Sequence, residues 1–342
     1  MQLDDRKKRI LGALVDCYVA TGEPVGSKLL AGVLNLHLSS ATIRNEMSEL
    51  AEMGLLEQPH TSAGRIPSQA GYRYYVDSLM DVYPLTLSEQ ARINVVLRID
   101  GSDLDSVLSK AGDMLAAITG CVAVSAAPRA NIRIRSVEVM PAGKRSMLIV
   151  LVASPGVLRS RLCKAGQDVD TDMLAYFTNL LRDKLLGLPP EAATPELKSR
   201  MERALAQYAA ALRPVLEAVF DELGVLSDAE VFLGGETNLF CYPEFHDGSA
   251  LEIIHFLEQR EQLFKLVDDV HGPVNVRIGT ENGTDSMRSS SLIAAPYKVG
   301  GRPQGSVGII GPIRMNYAKL VSHIEYFSSV LSKLISDTFP DE

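Results

Sequence analysis

The stretch Ser39-Ser40-Ala41-Thr42-Ile43-Arg44-Asn45-Glu46-Met47-Ser48-Glu49-Leu50 decides how the chain is read. Ile43, Met47 and Leu50 recur at i, i+4 and i+7, the spacing that gathers apolar side chains on one helical face. Ser39 and Ser40 offer hydroxyls for an N-cap, and Gly54 stops a helix running to Met53. The opposite face carries Ala41, Asn45 and Ser48, flanked by Thr42 and Arg44. Short, neutral residues let a helix approach the floor of a major groove, and Arg and Asn there can reach base edges. Glu49 and Glu52 fall toward the far end, pointing away from a duplex. Taken alone, twelve such residues describe an ordinary amphipathic helix; the flanking segments give them a context.

Upstream, Asp4–Ala20 places Ile10, Leu11, Leu14, Val15 and Tyr18 at helical spacing and closes at Thr21-Gly22. Pro24-Val25-Gly26 is a turn, and Ser27 is positioned to cap a short helix through Leu34. Downstream, Leu55–Pro59 and Arg65–Pro67 flank the polar tip His60–Gly64 as the strands of a β-hairpin do. That order is a winged helix-turn-helix, completed by a helix from Ser68 to about Met80 and closed by Tyr83-Pro84, so residues 1–84 form one DNA-binding unit. In the wing, Thr61, Ser62 and Arg65 suit phosphate or minor-groove contact. Lys28, at the start of the short helix, is placed as a phosphate anchor. The candidate DNA-contacting set is therefore Lys28, Ser40, Thr42, Arg44, Asn45, Ser48, Thr61, Ser62 and Arg65.

The whole chain is acidic: 342 residues carry 34 Lys+Arg against 42 Asp+Glu, a formal net charge of −8. Most of the excess lies beyond residue 84, so a nearly neutral reader is carried by an acidic body. A few placed cations then supply the DNA contacts, with weak non-specific binding and a shallow salt dependence expected. Hydrophobic residues make up 46% and charged residues 22%, which excludes a disordered, collagenous or disulfide-built chain. Met147–Ala153 is the longest apolar run, far short of the ~20 residues a membrane helix needs. Met1–Arg9 is charged with no apolar segment behind it, so no signal peptide is expected. Scattered Cys17, Cys121, Cys163 and Cys241 fit reduced thiols in a cytoplasmic protein.

Beyond residue 84 the pattern alternates. A linker helix (85–102) leads to a helix at Leu104–Thr119, then to strands at Cys121–Ala126, Ile132–Met140, Met147–Ala153 and Val157–Cys163. Helices follow at Asp170–Leu186 and Pro195–Leu223, the second kinked or divided by Pro214. Glu230–Leu233, Val274–Ile278, Leu292–Val299 and Ser306–Ile310 read as strands, and Leu251–Val270 and Asn316–Thr338 as helices. Strands on both sides of a helical block predict an α+β fold in which residues 103–164 and 229–342 form one α/β domain and residues 165–228 an insertion. Within the insertion, Met201, Leu205, Tyr208 and Leu212 form a stripe that serves either as subunit contact or as internal core.

No catalytic constellation stands out. Gly22–Lys28 echoes a phosphate-binding loop, but Lys does not follow Gly, Pro24 removes an amide donor, and a helix rather than a strand precedes it. Gly300–Gly308 lies between two strands and reads as a hairpin turn, with a ligand pocket as the alternative. The six histidines lack metal-ligand spacing; His37 and His60 lie beside the expected DNA face. No GxSxG elbow or Ser–His–Asp order is present, so neither cofactor nor metal is expected. Asn282-Gly283-Thr284 matches a glycosylation sequon without consequence in the cytoplasm, and Arg314 reads as structural, with an interdomain contact as the alternative.

Five blocks extend the pattern. Gly22–Lys28, Ala41–Met47, Gly54–Leu56, Pro59–Pro67 and Gly71–Asp77, followed by Gly235–Asn238, Ile278–Asn282 and Gly308–Tyr317, closely resemble the HrcA family of heat-inducible transcription repressors across nearly the whole chain. Ser68 departs conservatively, since the family more often has Thr there. The resemblance implies a winged helix, a GAF-like domain and an inserted dimerising domain. It also implies a homodimer that binds double-stranded DNA at an inverted repeat, the CIRCE element, and represses chaperone operons. Activity would depend on a GroEL-type chaperonin, which heat diverts to unfolded clients. A different class of function, a regulator sensing a small molecule in the GAF-like domain, stays open at this point.

Overall fold

Asp4 starts the first helix: its carboxylate accepts the Lys7 amide at 2.8 Å, opening α1 (Asp5–Thr21). The computed structural model describes residues 3–34, 39–60, 63–96, 103–127, 132–154, 156–299 and 301–339. After α1 come α2 (Ser27–Val33), α3 (Ser40–Glu52), the two-stranded wing β1 (Leu56–Glu57) and β2 (Ile66–Pro67), and α4 (Gln69–Ser78). Ser27 is the first helical residue of α2 rather than its cap; Gly26 holds that place without a side-chain bond. Ser39 caps α3 by accepting the Thr42 amide at 3.1 Å, and Ser68 caps α4 by accepting the Gly71 amide at 3.0 Å. Ile10, Leu11, Leu14 and Val15 of α1 are buried against Leu30, Ile43, Met47, Leu50 and Tyr72. Each such aliphatic side chain contributes roughly 1.5–3 kcal/mol by leaving water, so the apolar stripe of α3 seats it on α1 and turns its polar face outward.

A linker helix, α5 (Leu87–Val96), precedes the body; the rest of the predicted linker, 97–102, lies outside the described residues. The body runs α6 (Leu104–Thr119), β3 (Val122–Ala127), β4 (Ile134–Pro141), β5 (Ser146–Ala153) and β6 (Val157–Lys164). Next are α7 (Thr171–Leu185), α8 (Pro195–Ala204), α9 (Ala209–Ser227), β7 (Glu230–Gly234), α10 (Ser249–Glu258) and α11 (Arg260–Asp268). It ends with β8 (Asn275–Ile278), β9 (Ser290–Val299), β10 (Arg302–Pro312) and α12 (Tyr317–Thr338). Five antiparallel strands form one sheet in the order β7-β3-β10-β9-β8. Ile293, Ala295 and Tyr297 face α6 and α12, whereas Leu292 and Ala294 face α10 and α11. Covered on both sides, the central strands are apolar almost without alternation, as β9 is.

Three further expectations change. Strands β4, β5 and β6 do not join the large sheet; they form their own three-stranded antiparallel sheet, packed against α7 and α9. Their β-rich composition marks strands but cannot say which sheet they enter. The long helix expected at Pro195–Leu223 is divided at Leu205–Tyr208, not at Pro214, which lies inside α9. There the Gly166 amide donates to the Ala211 carbonyl at 2.9 Å, next to the carbonyl that the proline leaves without its donor. The helix expected at Leu251–Val270 breaks at Gln259 into α10 and α11. Of the two readings of Arg314, the interdomain contact is the one seen: Nη1 donates to the Val19 carbonyl of α1 at 3.0 Å and Nε to Glu244, so it bridges head and body.

Candidate nucleic-acid interface

On α3 the predicted inner face is buried at Ile43, Met47 and Leu50, while Arg44 and Asn45 are exposed. Ser40, Thr42 and Ser48 are half-buried. Thr42 Oγ1 lies 2.9 Å from Ser39 Oγ, and the Ser48 hydroxyl donates to the Arg44 carbonyl at 3.1 Å. One inward residue was not foreseen: Glu46 is buried, with Arg6 Nη1 at 3.1 Å and Lys7 Nζ at 2.9 Å. Lys7 also reaches Glu49 at 2.9 Å. Hydrogen bonds that Lys7 donates to Glu49 and then to Glu46 hold its ammonium well above its ordinary pKa. Two of the helix's acids are thus neutralised from behind, and Arg44 and Glu52 are the exposed charges that remain on α3.

The wing is fastened to the turn before α2. Leu56 pairs with Pro67 and Glu57 with Ile66, while the Val25 and Arg65 amides and carbonyls exchange bonds of 2.9 Å. Gly64 makes this approach possible, because a Cβ there would lie 2.4 Å from the Val25 carbonyl oxygen. The Gln58 side chain donates to the Ala63 carbonyl at 3.2 Å and braces the base of the tip. Between the wing and α3 lies a cleft of about 460 Å³ lined by Arg44, Ser48 and Arg65, with Ser27, Gln58 and Gly64 beside them. Among the described residues no acidic side chain lines it, and Arg65 Nε is buried there without a hydrogen-bond partner.

Of the predicted contact residues, the cleft brings together Arg44, Ser48 and Arg65. Lys28 is exposed at the start of α2, Asn45 stands beside Arg44, and Ser40 and Thr42 lie in the first turn of α3. Thr61 and Ser62 lie outside the described residues, as does His37. Ser27 and Gln58 were missed; the position of Gln58 directly after β1 is the signal that could have placed it at the wing's base. Elsewhere, Gly301 turns the β9–β10 hairpin as expected, while Gly300 lies outside the described residues. Among the described residues no acid, His and Cys cluster could hold a metal ion, and no helix is long and apolar enough to cross a membrane.

A winged helix with an acid-free basic cleft beside its outward-facing helix defines a DNA-binding transcription regulator. The chain belongs to the HrcA family: residues 2–77 match the winged helix-turn-helix transcription repressor HrcA DNA-binding domain, and residues 105–321 the HrcA protein C-terminal domain. It is 36% identical over 347 residues, with full coverage of both chains, to the heat-inducible transcription repressor HrcA of Thermoanaerobacter pseudethanolicus. It is 37% identical over 324 residues to that of Clostridium perfringens, covering 94% of this chain and 95% of the relative. A crystal structure of a hypothetical protein at 2.2 Å resolution shares the fold, with a TM-score of 0.71 at 22% identity, covering 98% of this chain and all of the other.

Proposed function

We propose that this chain is a non-catalytic cytoplasmic repressor that acts as a homodimer on an inverted-repeat operator of the CIRCE type ahead of chaperone operons. Each head places α3 in the major groove of one half-site and its wing along the flanking backbone. Occupancy blocks transcription until heat lowers the repressor's activity, with a GroEL-type chaperonin as modulator. The observation that carries this reading is the convergence of Arg44, Ser48 and Arg65 on one acid-free cleft. Lys28, Ser40, Thr42 and Asn45, with Thr61 and Ser62 of the wing tip, complete the proposed contact set. A DNase footprint on the chain's own upstream region, with and without chaperonin, tests it. Protection of two inverted half-sites, strengthened by chaperonin, is expected; no sequence-dependent protection contradicts it.

The dimer contact belongs to the insertion, which we extend to residues 132–228 so that it includes β4, β5 and β6. The stripe first considered for this role is used up internally: Met201, Leu205 and Leu212 are buried within the chain. The free surface is one face of the small sheet. There Leu148 pairs across strands with Leu162 and Val152 with Leu158; Leu162 is 64% and Leu158 42% exposed. The other face of β5, Met147, Ile149, Leu151 and Ala153, is fully buried. A half-covered apolar sheet suits a self-complementary partner about a twofold axis.

A second reading, small-molecule sensing, draws on a cavity of about 620 Å³ between head and body rather than on the β9–β10 turn. Asp16 and Tyr75 line it from the head, and Tyr242, Arg314, Lys319 and His323 from the body. Calorimetric screening against small organic anions separates the two readings.

A further inference from the structure

We propose that Gln69 and Arg73 are positioning residues that fix the angle of the winged-helix head on the body, and through it the half-site spacing the dimer accepts. The inference rests on the dimeric reading above. Neither residue faces the DNA cleft; both lie on α4 and reach the turn after β8. The Gln69 amide nitrogen donates to Thr280 Oγ1 at 2.9 Å, and the Thr280 backbone amide donates back to Gln69 Oε1 at 3.1 Å. Arg73 Nε donates to Glu281 Oε1 at 3.0 Å, and its Nη2 to the Val276 carbonyl at 2.7 Å.

The receiving turn is stiff. Glu281 accepts the Ile278 amide at 2.9 Å, closing the turn on itself. The buried Asn282 side chain donates to the carbonyls of Gly279 and Ser290 at 2.9 Å each, which ties the turn to β9. Gly279 has φ 55°, a left-handed backbone conformation that favours glycine, and it packs directly against the end of the Gln69 side chain. Further contacts join head and body: Arg314 holds the Val19 carbonyl, and beside Arg73 on α4 the Tyr72 ring meets that of Tyr317 at 5.8 Å.

The path continues from body to insertion. Arg159 of β6 pairs with Glu230 of β7, and the Leu104 amide donates to the Gly156 carbonyl at 3.0 Å. Head, sheet and dimerising sheet are therefore linked by directional polar contacts. Exposed polar contacts add little to stability, but they fix register and orientation. This also accounts for the blocks Gly71–Asp77, Ile278–Asn282 and Arg314–Tyr317, which the DNA cleft leaves without a role.

The test uses the full chain carrying Gln69→Ala, Arg73→Ala or, as a milder change on the body side, Thr280→Val. Melting temperature is measured beside fluorescence anisotropy on duplexes selected by the wild-type chain. One duplex carries a single half-site, and a series carries two inverted half-sites with the spacer varied one base pair at a time. The expected result is half-site affinity within about twofold of wild type, a loss of roughly tenfold or more at the best spacing, and a flattened spacing profile, as lost geometric matching between linked sites requires. An unchanged spacing profile overturns the proposal, as does an equal loss on half-site and full site, which would mean a merely structural role. If the wild-type chain binds the inverted repeat no tighter than a half-site, the dimeric reading itself fails, and this proposal with it.

Discussion

Lys7 Nζ lies 2.9 Å from Glu46 Oε2, joining the first helix to the inner face of the recognition helix where an apolar contact would be expected. Arg6 takes the other carboxylate oxygen at 3.1 Å, so one glutamate is held by two cations of α1. Removing one partner of a shielded ionic cluster is more damaging than the net worth of the cluster suggests. Glu46→Ala should lower the melting temperature by several degrees and Glu46→Gln by less, followed by circular dichroism. An unchanged melting temperature in Glu46→Ala would show that the apolar stripe alone seats α3.

The cleft residues divide by what they read. Arg65, anchored on the wing, is placed for phosphate, so Arg65→Ala should weaken binding to all sequences alike. It should also reduce the slope of log affinity against log salt by about one unit. Competition titrations at several salt concentrations check this. A wild-type slope typical of many neutralised phosphates would place the DNA surface elsewhere.

Leu162 tests the dimer. Leu162→Asp puts a charge into the exposed face of the small sheet without touching the insertion's buried core. Sedimentation should then report a monomer of unchanged melting temperature that still binds a single half-site. A variant that remains dimeric moves the interface to another surface.

Acid should loosen the linker. The Thr86 backbone amide, with Lys319 behind it, holds the Glu89 carboxylate at about 2, below its ordinary 4.5. Lys319 Nζ is 3.0 Å away on α12, so this pair fastens α5 to the body. Because the folded-state pKa is depressed, the stabilisation is fully present above pH 4.5 and is lost as pH falls from 4.5 toward 2. Glu89→Gln should remove that part of the pH dependence in thermal unfolding, and an unaltered acid limb would contradict it.

Local signals in the sequence were legible where the structure is local. The spacing of Ile43, Met47 and Leu50, the Ser39 cap and the strands that flank the wing tip each specify an element by its own residues, and these appear where expected. What stayed hidden depends on partners distant in sequence. Nothing in the apolar run Met147–Ala153 says that β5 joins β4 and β6 instead of the large sheet. The stripe Met201, Leu205 and Leu212 has the same pattern whether it faces a second subunit or the chain's own interior. Glu46 looks like any surface glutamate until Arg6 and Lys7 are brought over it. Gln58 enters the site only because the wing folds back beside α3.

The most direct test of the central claim is a mobility-shift titration of the wild-type chain and of Arg44→Ala on the selected inverted repeat and on a scrambled duplex. The wild-type chain should prefer the inverted repeat. Arg44→Ala should lose roughly 1–3 kcal/mol on that duplex, with a relaxed preference at the base it contacts. Unchanged affinity and unchanged base preference in Arg44→Ala would contradict the assignment of α3 as the helix that reads DNA.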